Sequence, residues 1–297
     1  MSFKHLSALL LLASFWGSSF LFMKIGAPAL GPFFLIESRV LLATIFLLAY
    51  AFIMKQKLFL KVHWKQYIIL GTINAAIPFV LIATSELYLT SSLASIINAT
   101  TPLFTAIISI LWMKESKSFR TFFGLILGCT GVIILVGWNP IAFNMKLVLA
   151  ITASCLAALF YGLGGVYSKI AFQHIKIKPL ELAIGQQFGA SIVLIPLALL
   201  YIPSQLPSLS VSFSVLGLAI FSTGIGYLLY FYLIKNIGPT KTLSVTFLVP
   251  IVGIIWGVIF LHEPFTAGTF IGLITILISV FYVMDIKNIL LRTNKKI

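Results

Sequence analysis

"PLFTAIISILWMKE", Pro102 to Glu115, returns as "PIVGIIWGVIFLHE", Pro250 to Glu263. Around this pair the correspondence continues. "WGSSFLFMK" (Trp16 to Lys24) is echoed by "YGLGGVYSK" (Tyr161 to Lys169), and Gly124 by Gly272. The offset is 145 at Trp16 and Tyr161, 147 at Pro32 and Pro179, and 148 at Pro102 and Pro250. One unit of roughly half the chain is therefore written twice. Self-similarity on this scale in an apolar chain is the sequence pattern of internally repeated carriers, whose binding site lies between the repeats.

The solvent for this chain is a bilayer. Of 297 residues, 60% are hydrophobic and 9% charged, with a mean hydropathy of +1.13. Soluble domains carry about 25% charged residues. The formal charge of +14 does not point to nucleic acid, because the basic residues form no patch. They punctuate the ends of apolar stretches, each close to the ~20 residues that a spanning helix needs.

Ten such stretches are predicted. The first unit holds Leu6 to Ala27, Phe33 to Met54, Tyr67 to Leu89, Ser92 to Met113 and Phe119 to Gly137. The second holds Lys146 to Ile170, Leu180 to Tyr201, Phe213 to Ile234, Thr242 to Leu261 and Ala267 to Ile286. Turn signals separate them at Gly31, Asn139, Ile202 to Ser210 and Gly238. Residues 1–140 read as a first five-helix unit, 141–290 as a second, and 291–297 as a basic cytoplasmic tail. The Lys4 start and the "APA" at Ala27 resemble a leader, but the apolar run is longer than a typical h-region of ~7–15 residues. It also has a partner in the second unit.

Orientation follows from Lys and Arg. With a cytoplasmic N-terminus, the inner ends carry Lys4; Lys55, Lys57, Lys61 and Lys65; Lys114, Lys117 and Arg120; Lys169, Lys176 and Lys178; Lys235 and Lys241; and Lys287, Arg292, Lys295 and Lys296. The outer ends carry Lys24 and Lys146. Both termini are expected in the cytoplasm, and a five-span unit repeated once must be inverted in its second copy. The predicted fold is thus an all-α polytopic membrane protein of ten transmembrane helices in two inverted five-helix repeats.

The Trp-Gly of the first helix, the Lys at its end, Pro32 followed by Arg39, and the doubled Pro–apolar–Glu segment together resemble the EamA type of the drug/metabolite transporter superfamily. The resemblance covers nearly the whole chain, with two departures: Tyr161 stands in the Trp position and Gln186 in that of Arg39. It implies a basket of helices around a central cavity, with the fifth and tenth helices as peripheral supports. It also implies movement of amino acids, nucleotide-related metabolites, sugars or drugs, often outward and without ATP.

Charges inside spans are the sharpest residue-level signal. On insertion scales such a group costs at least about 2.5–3.5 kcal/mol near the bilayer centre, so it faces a cavity or a partner. Lys24, Glu37, Arg39 and Glu86 fall in the outer half and are candidates for a gate or a coupling site. Arg39 or Lys24 is expected to be neutralised by Glu86 or Glu37. Glu37 and Arg39, two residues apart, should not pair with each other. The same charges would also serve as a static anchor with snorkelling side chains. Lys169 and Glu181 read as solvated.

Candidate cavity residues are Trp16, Asn74, Asn98, Tyr161, Gln186, Tyr227, Tyr230 and Thr246, polar or amphipathic groups on the helices that would ring a central space. Equally, such groups stitch helices together. Pro102 and Pro250 each remove a helical hydrogen bond and are candidate hinges. Gly253 and Gly257, like Gly124 and Gly128, permit close helix approach. Glu115 and Glu263 are expected to cap the helix that follows each of them.

No catalytic role is expected. His5, His63, His174 and His262 sit at predicted membrane edges, and no phosphate loop, dinucleotide fingerprint or HExxH is present. Cys129 and Cys155 lie in different helices without metal spacing. No cofactor is anticipated. The expected partners are a small-molecule substrate, the bilayer and, through Glu86 or Glu37, protons, with facilitated diffusion equally consistent; the protein is a monomer or homodimer. The functional expectation is a secondary transporter of the cytoplasmic membrane exporting an amino acid or related metabolite by alternating access. The alternative is a flippase for a lipid-linked carrier, which needs a lateral opening between helices.

Overall fold

The computed structural model describes residues 3–113, 119–137, 144–175 and 177–283. Glu115, Lys114, Lys117, Lys176, Lys287, the Asn139–Pro140 turn and the tail 291–297 lie outside them. The described residues are helical and contain no strand.

The helices are α1 (Phe3–Leu30), α2 (Pro32–Ile53), α3 (Trp64–Gly71), α4 (Ile77–Ser85), α5 (Ser91–Asn98), α6 (Thr101–Met113) and α7 (Phe119–Gly137). They continue with α8 (Met145–Phe172), α9 (Pro179–Leu200), α10 (Leu209–Leu216), α11 (Gly226–Ile237), α12 (Pro239–Thr242), α13 (Val245–Leu261) and α14 (Ala267–Val283). Two π-helical stretches, Thr72–Ala76 and Gly217–Ile225, join α3 to α4 and α10 to α11. Among the described residues, seven segments are long and apolar enough to cross a membrane: Phe3–Leu30, Pro32–Ile53, Trp64–Ser85, Ser91–Met113, Met145–Phe172, Pro179–Leu200 and Leu209–Ile237. Thr121–Gly137, Val245–Leu261 and Ala267–Val283 are shorter apolar helices. Large side chains on their outer faces, such as Leu11, Ile45, Leu149 and Phe270, are exposed, as a bilayer-facing surface requires.

The two Gly-Pro turns behave as their chemistry demands. Gly31 and Gly238 combine φ of +70° and +84° with ψ of 153° and 161°, a region that essentially only glycine adopts. Pro32 then opens α2 with its φ already helical.

Packing crosses the middle of the chain. α1 lies on α13, α2 and α3 on α9, and α4 and α6 on α8. The fifth and tenth predicted helices pair with each other: α7 packs mainly on α14, whose neighbouring Val283 end also reaches the central cavity. Glycines set that seam. A Cβ on Gly124 would lie 2.6 Å from Val283, one on Gly131 2.7 Å from Ile276, and one on Gly272 2.8 Å from Leu135.

The fourth predicted span is not one helix. It breaks at Ala99 and Thr100, and α6 restarts at Thr101 with Pro102 as its second residue. Pro102 has no N–H for the Asn98 carbonyl, which accepts the Thr101 hydroxyl instead (2.7 Å). Pro250, by contrast, sits inside uninterrupted α13. The two equivalent prolines therefore hold different local structures. α5 packs on α13 as well as α8, whereas α6 packs mainly on α8.

Candidate functional site

A cavity of about 530 Å³ lies between the two halves of the chain, within the range of small-molecule sites. Its wall includes Trp16 from α1, Asn74 from the first π-helical stretch, Asn98 at the end of α5 and Tyr161 from α8. Tyr227 and Tyr230 from α11, Thr246 from α13 and both prolines complete that set. Seven of the eight predicted cavity residues thus reach the wall.

Gln186 is the exception. It is buried one layer behind, where its Oε1 accepts from Asn74 Nδ2 (2.9 Å) and its Nε2 donates to the Tyr227 hydroxyl (2.6 Å). It positions two wall residues rather than lining the space. Helix α9 runs behind the wall, and the wider turn at Thr72–Ala76 swings Asn74 between Gln186 and the cavity.

Among the described residues, Arg39 is the only charged side chain on the wall. It is 5% exposed. Its guanidinium lies 3.7 Å from the centre of the Phe79 ring. Nε donates to Thr223 Oγ1 (2.9 Å), and Nη1 reaches Met23 Sδ at 3.8 Å. Thr223 in turn donates to the Leu218 carbonyl five residues back (2.8 Å), a spacing that belongs to the π-helical turn. Two matched arrangements result. Arg39 of the second span meets the π stretch of the eighth, and Gln186 of the seventh meets that of the third. Rings complete the wall: Trp16 packs 5.4 Å from Tyr230 and Tyr161 6.1 Å from Phe79.

Two polar atoms of wall residues, Asn98 Oδ1 and Ser222 Oγ, are buried and have no hydrogen-bond partner among the described residues, so hydrogen-bonding capacity is left unused beside the cavity.

The expected neutralisation of Arg39 or Lys24 by Glu86 or Glu37 is not formed. Lys24 Nζ donates to two backbone carbonyls, Glu86 (2.6 Å) and Leu89 (2.8 Å). These close the C-terminal end of α4, where a cation complements the helix dipole. Both Glu86 carboxylate oxygens are buried and have no hydrogen-bond partner among the described residues. Glu86 follows Ser85, the last residue of the third span. Burial pushes its carboxyl well above the usual carboxylate range, against the opposing pull of the Lys24 ammonium. Glu37 accepts the Ser191 hydroxyl (2.6 Å) between α2 and α9, and it does not pair with Arg39. None of Lys24, Glu37 and Glu86 lies on the cavity wall.

Two further carboxylates depart from expectation. Glu181 is buried rather than solvated, and accepts the Tyr67 hydroxyl (3.1 Å). Glu263 does cap a helix, but not the α14 that follows it. Its oxygens take the backbone N–H groups of Ser91 (2.6 Å) and Ser92 (2.9 Å) at the start of α5, in the other half. Sequence reading also passed over Thr223, Phe79 and Ser191. The "TSS" at Thr90 to Ser92, a helix-start signal before an apolar run, was the available hint to the Glu263 partner.

A model of the EamA-like transporter family matches residues 4–137 and again residues 148–284. The chain is 23% identical over 269 residues to the uncharacterized transporter YoaV of Bacillus subtilis, covering 90% of this chain and 91% of that one. An uncharacterized transporter of Archaeoglobus fulgidus is 25% identical, with 93% and 97% covered. The uncharacterized inner membrane transporter YedA of Escherichia coli K12 is 27% identical, with 84% and 80% covered. A solved crystal structure shares the fold with a TM-score of 0.66 at 15% identity, over 98% of this chain and 99% of the other.

Proposed function

The chain belongs to the EamA-like transporter family, and we propose that it is a secondary carrier of a small amphipathic metabolite bearing a carboxylate, an amino acid or related compound. The observation that carries this reading is the cavity wall. It offers one guanidinium, amide and hydroxyl groups, and an aromatic lining of Trp16, Phe79, Tyr161, Tyr227 and Tyr230. Arginine matches a carboxylate with two parallel N–H donors. The rings suit an apolar body.

Residues 1–140 and 141–290 are two inverted five-helix repeats in this proposal, and the cavity opens to each side in turn. Near-equivalent halves give the two open forms similar energies. The distribution of Lys and Arg supports cytoplasmic termini. The similarity to YedA, an inner membrane transporter, supports the inner membrane. Export is the favoured direction. Glu86, rather than Glu37, is the better candidate for a coupling proton, because its carboxyl is buried without a hydrogen-bond partner among the described residues.

Counterflow in proteoliposomes against amino acids, their decarboxylated analogues and related metabolites tests the proposal, with and without a pH gradient. The expected result is exchange of a carboxylate-bearing compound, loss on decarboxylation, and loss in Arg39→Gln. Exchange indifferent to the carboxylate would reject it. Movement of a lipid-linked carrier, with no soluble compound exchanged, would move the assignment to a flippase.

A further inference from the structure

We propose that Glu263 is a releasable clasp: its carboxylate shuts one end of the cavity by gripping the N-terminus of α5, and lets go when that end opens. The proposal rests on the alternating-access reading above.

The grip joins residues more than half the chain apart. Glu263 Oε1 accepts from the Ser91 N–H at 2.6 Å; Oε2 accepts from the Ser92 N–H at 2.9 Å and from the Ser92 hydroxyl at 2.5 Å. These are the first two N–H groups of α5, which have no partner within the helix. The third, on Leu93, is already served by Thr90 Oγ1 at 3.2 Å. α5 therefore carries its own cap, and the Glu263 bonds add a connection between halves rather than completing a local turn. Charge-assisted bonds to a helix N-terminus are strong, and here they sit beside the apolar contact of Leu93, Ile96 and Ile97 with Ile254.

The chain is bent to deliver this carboxylate. His262 adopts the left-handed conformation (φ 53°) at the end of α13. The Glu263 N–H then returns to the Gly257 carbonyl at 3.2 Å. Only glycine fits at 257, where a Cβ would lie 2.6 Å from Ser92 Oγ and 2.8 Å from Ser91 Oγ. The same short connection between α4 and α5 is held at its other side by Lys24 through the Glu86 and Leu89 carbonyls. One turn is thus gripped by an anion at its N–H groups and by a cation at its carbonyls.

Placement makes this a closure. The wall extends up to Ile82, Met23 and Ser95 and stops there; Ser91, Ser92 and Glu263 are not part of it. In the other direction it continues past Ala106 and Tyr230 to Leu243. The break at Ala99 and Thr100 separates the gripped helix from α6. α5 can leave α13 without dragging α6 from α8.

The test uses the full chain with Cys129 and Cys155 replaced by serine. In one arm, Thr101→Cys on the cavity wall is labelled by a membrane-impermeant maleimide added to either face of sealed vesicles. Glu263→Ala should raise labelling from the Glu263 face several-fold. In the second arm, without the Thr101 change, Ser92→Cys and Glu263→Cys are oxidised to a disulfide. Counterflow should fall to background and return with reductant.

Unchanged labelling in folded Glu263→Ala, a cross-linked protein that still exchanges, or a cysteine pair that will not cross-link overturns the clasp. If Glu263→Ala does not fold, the cross-link decides. If labelling shifts as expected while no compound exchanges, the clasp stands and the substrate reading fails. If exchange occurs and labelling does not move, the clasp alone fails.

Discussion

Replacing Thr223 by valine removes one hydroxyl and keeps the shape of the side chain. That hydroxyl accepts Arg39 Nε at 2.9 Å and donates to the Leu218 carbonyl at 2.8 Å. Hydrogen bonds to charged groups contribute about 1.5–3 kcal/mol, and a buried charged donor left without its acceptor loses that much. The Phe79 face remains under the guanidinium and limits the damage. Thr223→Val should therefore lower unfolding stability in detergent by about 1.5–3 kcal/mol. It should also raise the KM for counterflow, because the guanidinium loses the contact that aims it. Thr223→Ser restores the hydroxyl and should recover both. The readouts are denaturant unfolding followed by tryptophan fluorescence, and concentration-dependent exchange in proteoliposomes. A valine variant within about 0.5 kcal/mol of the parent, with unchanged KM, would mean that Thr223 does not hold Arg39.

Other sites give equally definite expectations. Gly189→Ala would drive a Cβ into the backbone of Tyr67, so stability should fall by about 1–3 kcal/mol; Gly165→Ala meets nothing within 4 Å and should leave the melting temperature level or higher. Tyr67→Phe strips the buried Glu181 carboxylate of its hydroxyl donor, with an expected loss of about 1–3 kcal/mol in the same unfolding assay. Pro102→Ala returns a donor to the Asn98 carbonyl and should fuse α5 with α6, slowing counterflow several-fold while the fold survives; an unchanged rate would remove the break from the transport cycle. Glu86 has its carboxyl raised in the folded protein from an ordinary value of 4.5, so its contribution to stability is full below that value and is lost as pH rises through the folded one. Glu86→Gln lacks this loss, and the unfolding midpoint of the variant should gain on the parent as pH increases.

Much of this was legible because the doubled motif, the Gly-Pro turns and the apolar lengths are local signals. The turn at Gly31 and the helix ends at Leu261 and Ala267 follow directly from such punctuation. The cavity residues were legible for a different reason: a polar or aromatic group in the middle of an apolar run has few places to go. What stayed hidden was pairing across the chain. Arg39 and Thr223 are 184 residues apart, Asn74 and Gln186 112, and no period or spacing links them. The expectation that opposite charges would find each other misjudged Lys24, because backbone carbonyls at a helix end compete well for an ammonium. The π-helical turns escaped too, since one extra residue per turn barely alters an apolar pattern. Gln186 was placed on the wall by its equivalence to Arg39, yet Asn74 stands between it and the space.

The interlocking of the two halves sets the order in which the nascent chain can mature. When the first five helices have left the ribosome, Arg39 has no Thr223, Asn74 no Gln186 and Ser91 no Glu263. Those groups must wait in lipid, or against the insertion machinery, for partners still being translated. A fragment ending near residue 140 should therefore be a target for membrane quality control. Supplying the second fragment as a separate polypeptide should rescue it from degradation.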